Sequence, residues 1–416
     1  MKTAQIIRRL NFAEWGGTES VVWHSVRELN RNGVETEILA TQALGGKTME
    51  KLAGTVQIRR FPYFYPYFPL TAAKRLALDK KGGNPLVPQM EKYLKANNFD
   101  LLHSHNLGRL AELAARVAEA QKIPLVLSLH GGCADVPENE RLELLRPLKH
   151  TLPYGGIVER LFKLRRDALA QATGIICVGA NEEMVLKERY PDKLVRHIPN
   201  GVDPEKFRKA SGAYWRQKLN LSKETKLLLN VSRIDYQKNQ KMLIELLAEL
   251  RKNQENVHLL LIGPITAKWY AEELKSLAEQ KDVSKYMTLI PGLKSDGDEL
   301  LSAYKEADVF IMPSLHEPFG IVALEAWSAN LPVLAAKVGG LQYLVEDKKT
   351  GLFFDPKELS TLLAAYHNLP LYRKELAVNA ALKVEQEYTW EKVGKKLKEF
   401  YIEVQNEFRR KNSVCL

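Results

Sequence analysis

Arg233 and Lys238 in NVSRIDYQKN, and Glu317 and Glu325 in PSLHEPFGIVALEAWSANLPVLAAKVGG, are the side chains of this sequence best placed to do chemistry. A fork of guanidinium donors followed by a point-charged ammonium can neutralise a diphosphate leaving group. Around the two acids, a strand ends near Pro313 and a loop carries His316, Glu317 and Pro318. A helix then opens at Phe319, Gly320 and Ile321 and carries Glu325. A helix start offers free N–H groups and a positive dipole end, which suits a phosphate. Gly320 lets a ligand approach the backbone closely. Glu317 precedes the helix and Glu325 falls two turns in, so the two carboxylates can address different parts of one elongated ligand. Singly, each acid could complement a dipole or sit solvated, and surface Arg/Lys pairs are common. The grouping carries the reading.

Two sets of alternating elements must position these residues. Strand patterns run over Thr3–Leu10, Glu35–Thr41, Val56–Arg60, Asp100–Ser104, Pro124–Leu129, Gly174–Val178 and Leu194–Ile198, with amphipathic helices such as Glu19–Arg31 and Gly108–Gln121 between them. After the turn-rich PNGVDP at 199–204 the pattern restarts, with strands at Leu227–Val231, Val257–Gly263, Met287–Pro291, Val309–Pro313 and Pro332–Ala335. Helices Asn239–Lys252 and Ile321–Ala329 fill the gaps, and Trp390 to Lys411 reads as one amphipathic helix. Such alternation predicts mostly parallel, doubly wound α/β sheets. Ligands bind beyond the carboxyl ends of their strands.

The spacing from Glu317 to Glu325 resembles the Glu-x7-Glu signature of glycosyltransferase family 4. The resemblance implies a GT-B fold: two Rossmann-like domains with parallel sheets facing across a cleft. Residues 1–200 would form the acceptor-side domain and 201–385 the nucleotide-sugar domain. Residues 386–416 would form a helix packing back on the first. It also implies transfer from a nucleotide-sugar with retention of configuration, with Glu317 on the hydroxyls of the transferred sugar and Glu325 on the ribose. Arg233 and Lys238 would bind the diphosphate. Gly263 and the backbone at Leu293 would line the donor site with Phe319, Gly320 and Ile321, and the family's backbone near Leu293 meets the nucleobase. Gly16 and Gly17, in EWGGTE at 14–19, match its first glycine-rich loop, with Gly17 toward the donor phosphate and Gly16 toward the acceptor. His130 in SLHGG matches a histidine that touches the 6-hydroxyl side of the sugar, and His105 is an acceptor-side candidate. Asn330 stands where the family has a helix-capping Gly, and Tyr343 where many members have Glu.

No cofactor is expected; the donor would be UDP- or GDP-linked and the acceptor a glycan or lipid-linked hydroxyl. No metal is expected either. His103 and His105 lack an evident third ligand, and the single Asp-x-Asp, Asp296 and Asp298, precedes a helix where Asp is ordinary in the first turn. A nucleotide-sugar epimerase and a non-catalytic sugar-nucleotide binder are the alternatives. EWGGTE is not the dinucleotide fingerprint, which removes the main support for an NAD enzyme.

The chain has 416 residues, 45% of them hydrophobic and 27% charged, enough for two α/β cores. No apolar run of ~18 residues predicts a transmembrane helix, and three scattered cysteines fit a reducing compartment, so a cytoplasmic protein is expected. The net charge of +11 lies mostly in the first half, where 29 Lys and Arg face 21 acids. No nucleic-acid-binding signature accompanies it. Residues 51–81 concentrate it: Lys51, Arg59, Arg60, Lys74, Arg75, Lys80 and Lys81 surround the aromatic run FPYFYPYF at 61–68, with Asp79 the one acid. Prolines there predict a loop. It would either pack on the domain or bring the protein to an anionic membrane face.

Overall fold

The structure is a computed structural model. It describes residues 1–12, 16–53, 55–131, 148–212, 214–294 and 297–413. Glu14, Trp15, Gly132 and Asp296 lie outside the described residues. The chain divides into two compact units, Met1–Pro199 with Trp390–Leu416, and Asn200–Thr389.

The first unit holds β1 (Lys2–Ile6), β2 (Glu35–Thr41), β3 (Met49–Leu52), β4 (Val56–Phe61), β5 (Tyr67–Phe68), β6 (Leu101–Ser104), β7 (Leu125–Leu129), β8 (Leu152–Pro153), β9 (Gly174–Cys177) and β10 (Leu194–His197). Eight of these form one sheet in the order β10-β9-β7-β6-β1-β2-β4-β3. All its pairings are parallel except that of β3 with β4. The order reverses between β1 and β6, which puts a switch point where loops after those strands diverge. The central strands β6, β7 and β9 are buried throughout, as sheets covered on both faces require.

The first strand is shorter than the Thr3–Leu10 pattern, ending at Ile6. Beyond it the side chain of Asn106 takes the amide of Arg8 at 2.5 Å, so a side chain replaces a ladder partner. The segment after β4 is also more ordered than a loop. β5 pairs antiparallel with β8, and Thr71 caps a helix over Ala72–Lys80. Much of the aromatic run packs inward: Phe61 and Tyr65 are buried, and the hydroxyls of Tyr63 and Tyr65 donate to Asp79 Oδ1 at 2.6 and 3.0 Å. Arg60 is buried too and donates to Leu10 O, while Arg59 pairs with Glu37 at 3.1 Å. That cation cluster is therefore partly core.

The helix Trp390–Ser413 belongs to this unit. It packs on the helix Gly17–Arg31, with Trp390 stacked on His24 at a 4.8 Å centroid distance. Gly394 permits the contact: a Cβ there would lie 2.4 Å from Glu28 Cβ.

The second unit holds β11 (Lys226–Val231), β12 (Val257–Ile262), β13 (Met287–Ile290), β14 (Val309–Met312), β15 (Val333–Ala336) and β16 (Leu352–Phe354), in the order β13-β12-β11-β14-β15-β16. Every pairing is parallel. β16 was not legible in the sequence, being a three-residue edge strand. Here the switch point lies between β11 and β14. Among the described residues, no helix is long and apolar enough to cross a membrane.

Candidate active site

The two loops flanking the second unit's switch point carry the residues singled out for chemistry. After β11, the chain passes Ser232 and Arg233 into a short 3-10 turn, Tyr236–Lys238. After β14, it passes Pro313 to Gly320 into the helix Ile321–Ser328. The two loops are laced together. Leu315 N donates to Gln237 O at 2.8 Å, and Asn239 Nδ2 donates to Pro313 O at 3.1 Å. Asn239 can do this because its backbone is left-handed (φ 53°), a conformation Asn tolerates. Beneath them, buried Asn230 donates from Nδ2 to Ile311 O at 2.8 Å.

Lys238 and Glu317 meet here. Lys238 Nζ donates to Glu317 Oε2 at 2.6 Å, with each side chain only 13% exposed. Two charges this desolvated depend on each other. Arg233 Nη1 lies 3.1 Å from Asp235 Oδ2, which also accepts from Thr266 at 3.1 Å. Asp235, which sequence reasoning did not single out, thus aims the arginine. The helix start beside this pair bears no side-chain cap, and Gly320 is left-handed at φ 96°. An anion is the natural partner of such an end. Phe319 is buried behind it against Tyr388. Ile321 is the first helical residue. Asn330, just past the helix, is left-handed at φ 58°, the conformation a capping Gly would supply.

Glu325 hangs from the second helical turn and accepts from the hydroxyl of Tyr304 at 2.6 Å. Burial pushes its carboxyl up to about 7, which the Tyr304 hydrogen bond and the charge of Lys206 only partly offset. Tyr304 lies 21 residues away on another helix, with no local signal to mark it. The sheet's other strand ends complete the rim. Gly263 follows β12 so tightly against β11 that a Cβ would lie 1.7 Å from Ser232 O. The half-buried Leu293 follows β13. After β15, Gly340 N donates to Glu317 O at 2.8 Å.

In the first unit, Gly16 and Gly17 open the helix after β1, and Glu19 in its first turn pairs with Arg9 at 2.8 Å. His105 follows β6 and His130 follows β7. The two imidazoles touch, His105 Nδ1 to His130 Nε2 at 3.0 Å. They belong to a longer chain of hydrogen bonds. Gln5 Nε2 donates to Tyr401 OH at 2.8 Å, leaving Gln5 Oε1 to accept from His105 Nε2 at 2.8 Å. Tyr401 in turn contacts His103 Nδ1 at 2.6 Å, and His103 Nε2 contacts Ser128 Oγ at 2.7 Å.

Burial holds all three histidines neutral, His103 down to about 3, His130 to about 4 and His105 well below its usual range. A neutral His105 protonated on Nε2 must accept at Nδ1, so His130 donates from Nε2. His130 Nδ1 then keeps a lone pair, able to accept from a hydroxyl. Sequence reasoning found His105 and His130 but missed Gln5, Ser128 and Tyr401. Removing the Tyr401 hydroxyl strands two buried groups. Tyr401→Phe is therefore expected to cost about 1–3 kcal/mol, read as a lowered Tm; an unchanged Tm would show that the chain has slack.

Among the described residues, no group of three or more His, Cys, Asp or Glu is placed to hold a metal ion. Asp298 sits in the first turn of the helix Asp298–Glu306.

Parallel α/β sheets bind their ligands at switch points such as the one these charged loops flank. The model of glycosyl transferases group 1 matches residues 213–383, and that of glycosyltransferase family 4 matches residues 15–206. The chain is 27% identical over 415 residues to the D-inositol 3-phosphate glycosyltransferase of Saccharomonospora viridis, covering 95% of this chain and 90% of that one. Among solved structures it resembles the sucrose-phosphate synthase of Thermosynechococcus elongatus, with a TM-score of 0.72, 21% identity, and coverage of 97% and 98% of the two chains. It also resembles Anabaena HepE in complex with UDP and glucose, with a TM-score of 0.70, 19% identity, and coverage of 96% and 99%. The chain is a glycosyltransferase of the family 4 type, with the GT-B fold.

Proposed function

We propose that this glycosyltransferase moves a sugar from a UDP- or GDP-linked donor to a hydroxyl of a glycan or lipid-linked acceptor, with retention and without a metal. The observation that carries the reading is the Lys238–Glu317 pair, beside Arg233 and an uncapped helix start, at the switch point of a parallel sheet. The chemical task in such a transfer is to stabilise charge growing on a diphosphate. Fixed cations and a helix end do that by preorganised electrostatics. Arg233, Lys238 and the helix start at Gly320 and Ile321 take the diphosphate. Glu317 takes the sugar hydroxyls, Glu325 the ribose, and the backbones at Gly263 and Leu293 the nucleoside. His130 Nδ1 accepts from a sugar hydroxyl, with His105 behind it. Gly16 and Gly17 serve the acceptor and donor phosphate. HepE, bound to UDP and glucose, supports a donor of this kind.

The test is a set of nucleotide sugars offered with acceptors. One donor should raise Tm, by about 2.7 kcal/mol of stability at ~100 times its dissociation constant. Product should appear only when an acceptor is present; product without one would favour an epimerase. The anomeric coupling constant should show retention, and EDTA should leave turnover intact. Loss with EDTA and rescue by Mn²⁺ would overturn the metal-free reading and bring Asp296 and Asp298 back.

Glu325 gives a pH prediction. Its folded carboxyl titrates near 7, above the ordinary unfolded value of about 4.3. The folded state therefore binds more protons between those values, and this group's stabilising contribution fades as pH rises through 7. Donor binding runs the other way, because only the ionised carboxylate can accept from both ribose hydroxyls. Donor affinity should weaken by up to tenfold per pH unit below 7, in a titration with an intact nucleotide sugar, and Glu325→Gln should flatten the slope.

A further inference from the structure

A patch of the first unit combines exposed apolar side chains with cations in a way neither the sheet nor the proposed chemistry requires. It is built from two stretches far apart in sequence. The ribbon of β5 and β8 sets Phe68 directly opposite Leu152. Tyr154 N then donates to Pro66 O at 3.1 Å, and the chain enters the helix Gly155–Leu161. Lys74, on the helix Ala72–Lys80, donates to Lys149 O at 2.7 Å and ties the other end. Phe68, Leu152, Ile157, Leu161 and Phe162 are 64–73% exposed. Ile157 and Leu161, four apart, share a helix face.

Charge says what covers this patch. Residues 66–83 and 148–166 carry nine Lys and Arg against two acids, Asp79 and Glu159. Both acids are buried and engaged, Asp79 by Tyr63 and Tyr65, Glu159 by Arg109 and Arg165 at 2.5 and 2.9 Å. What these two stretches themselves turn to solvent is therefore apolar and cationic, with Arg166 paired at the edge to Glu119 at 3.0 Å. A second copy of the chain would set like charges against like. A nucleic acid would leave the Phe, Leu and Ile side chains unmatched.

We propose that the β5–β8 ribbon and the helix Gly155–Leu161 form a peripheral docking surface for an anionic lipid leaflet. The apolar side chains enter the headgroup boundary while the flanking Lys and Arg meet lipid phosphates, with no segment crossing the bilayer. This moves the contact from the aromatic run at 61–68, much of which is packed, to a surface completed by residues 148–166. The inference rests on the lipid-linked form of the proposed acceptor for its purpose, whereas binding is measured without any substrate.

Flotation of the full chain with vesicles tests it. The protein should float with phosphatidylglycerol-containing vesicles, stay behind with pure phosphatidylcholine, and release as salt rises and screens the cations. Leu161→Ser/Phe162→Ser and Arg160→Glu/Lys163→Glu should each cut partitioning at least tenfold, with Tm and the donor-induced Tm shift unchanged. Wild-type protein that stays soluble with anionic vesicles at low salt overturns the proposal. So does binding that neither pair of substitutions alters, or a concentration-dependent dimer that the apolar pair abolishes while vesicles remain unbound. Failure of the transfer reading shows separately, as no donor-induced Tm shift in protein that still floats.

Discussion

Lys238→Ala is expected to lower kcat by about 10²-fold or more, the scale of one lost electrostatic stabiliser in a desolvated site. Lys238 is fixed at 2.6 Å from Glu317, and each is mostly shielded from water. In the proposed reaction the ammonium meets the diphosphate as its charge grows, and Glu317 is freed toward the sugar. Glu317→Ala should fall on the same scale. The two losses should not add, because each substitution also leaves its former partner uncompensated. A cycle of the two single variants and the double variant measures this. Circular dichroism should show folding largely kept, since the pair lies at strand ends, outside the apolar cluster beneath the sheet. Near-normal turnover in either single variant would place the chemistry elsewhere.

Gly340→Val should be nearly as damaging without removing any charged group. A Cβ at Gly340 would lie 2.0 Å from Pro318 O, and one at Gly339, left-handed at φ 46°, 2.4 Å from Glu317 O. Backbone atoms cannot swing aside as side-chain tips do, so the loop from Glu317 to Phe319 must move. That loop carries Glu317 to Lys238 and leads into the helix start at Gly320. The displacement is expected to cost about 1–3 kcal/mol of stability, as overpacking does. A misplacement of ~1 Å at the reacting groups costs about 10²-fold in rate. A Gly340→Val protein with wild-type kcat/KM would show that the Gly339-Gly340 turn does not hold the site.

The residues of the second unit's candidate site stood out in the sequence because parallel-sheet proteins put their chemistry just past strand ends. The strands there are runs of Leu, Ile and Val, and their ends are marked by Gly, Pro and charge. Arg233, Lys238, Glu317 and Gly320 could thus be picked as candidates from their place past strand ends together with the family resemblance, which also marked Asn330 as standing where the family has Gly. Local pattern also marked the C-terminal helix. It could not reveal that Asp235 aims Arg233, or that Tyr304 holds Glu325 in a pocket where its carboxyl titrates near 7. Such partners are set by which elements pack together.

The first unit shows the division most plainly. Sequence alone determined the alternating strands and helices, the glycine-rich loop after β1, and the presence of His105 and His130 at strand ends, since period and turn chemistry are local properties of a chain. Only tertiary structure decided that Tyr401, nearly 400 residues from Gln5, closes a hydrogen-bonded chain that leaves His130 Nδ1 as an acceptor. It alone decided, too, that Phe61 and Tyr65 of the aromatic run at 61–68 turn inward while Phe68 is joined on the surface by Leu152 and the helix after it. Both outcomes depend on burial and on pairing between distant segments. A buried polar group must find its partner wherever the fold supplies one, and the sequence does not name it in advance.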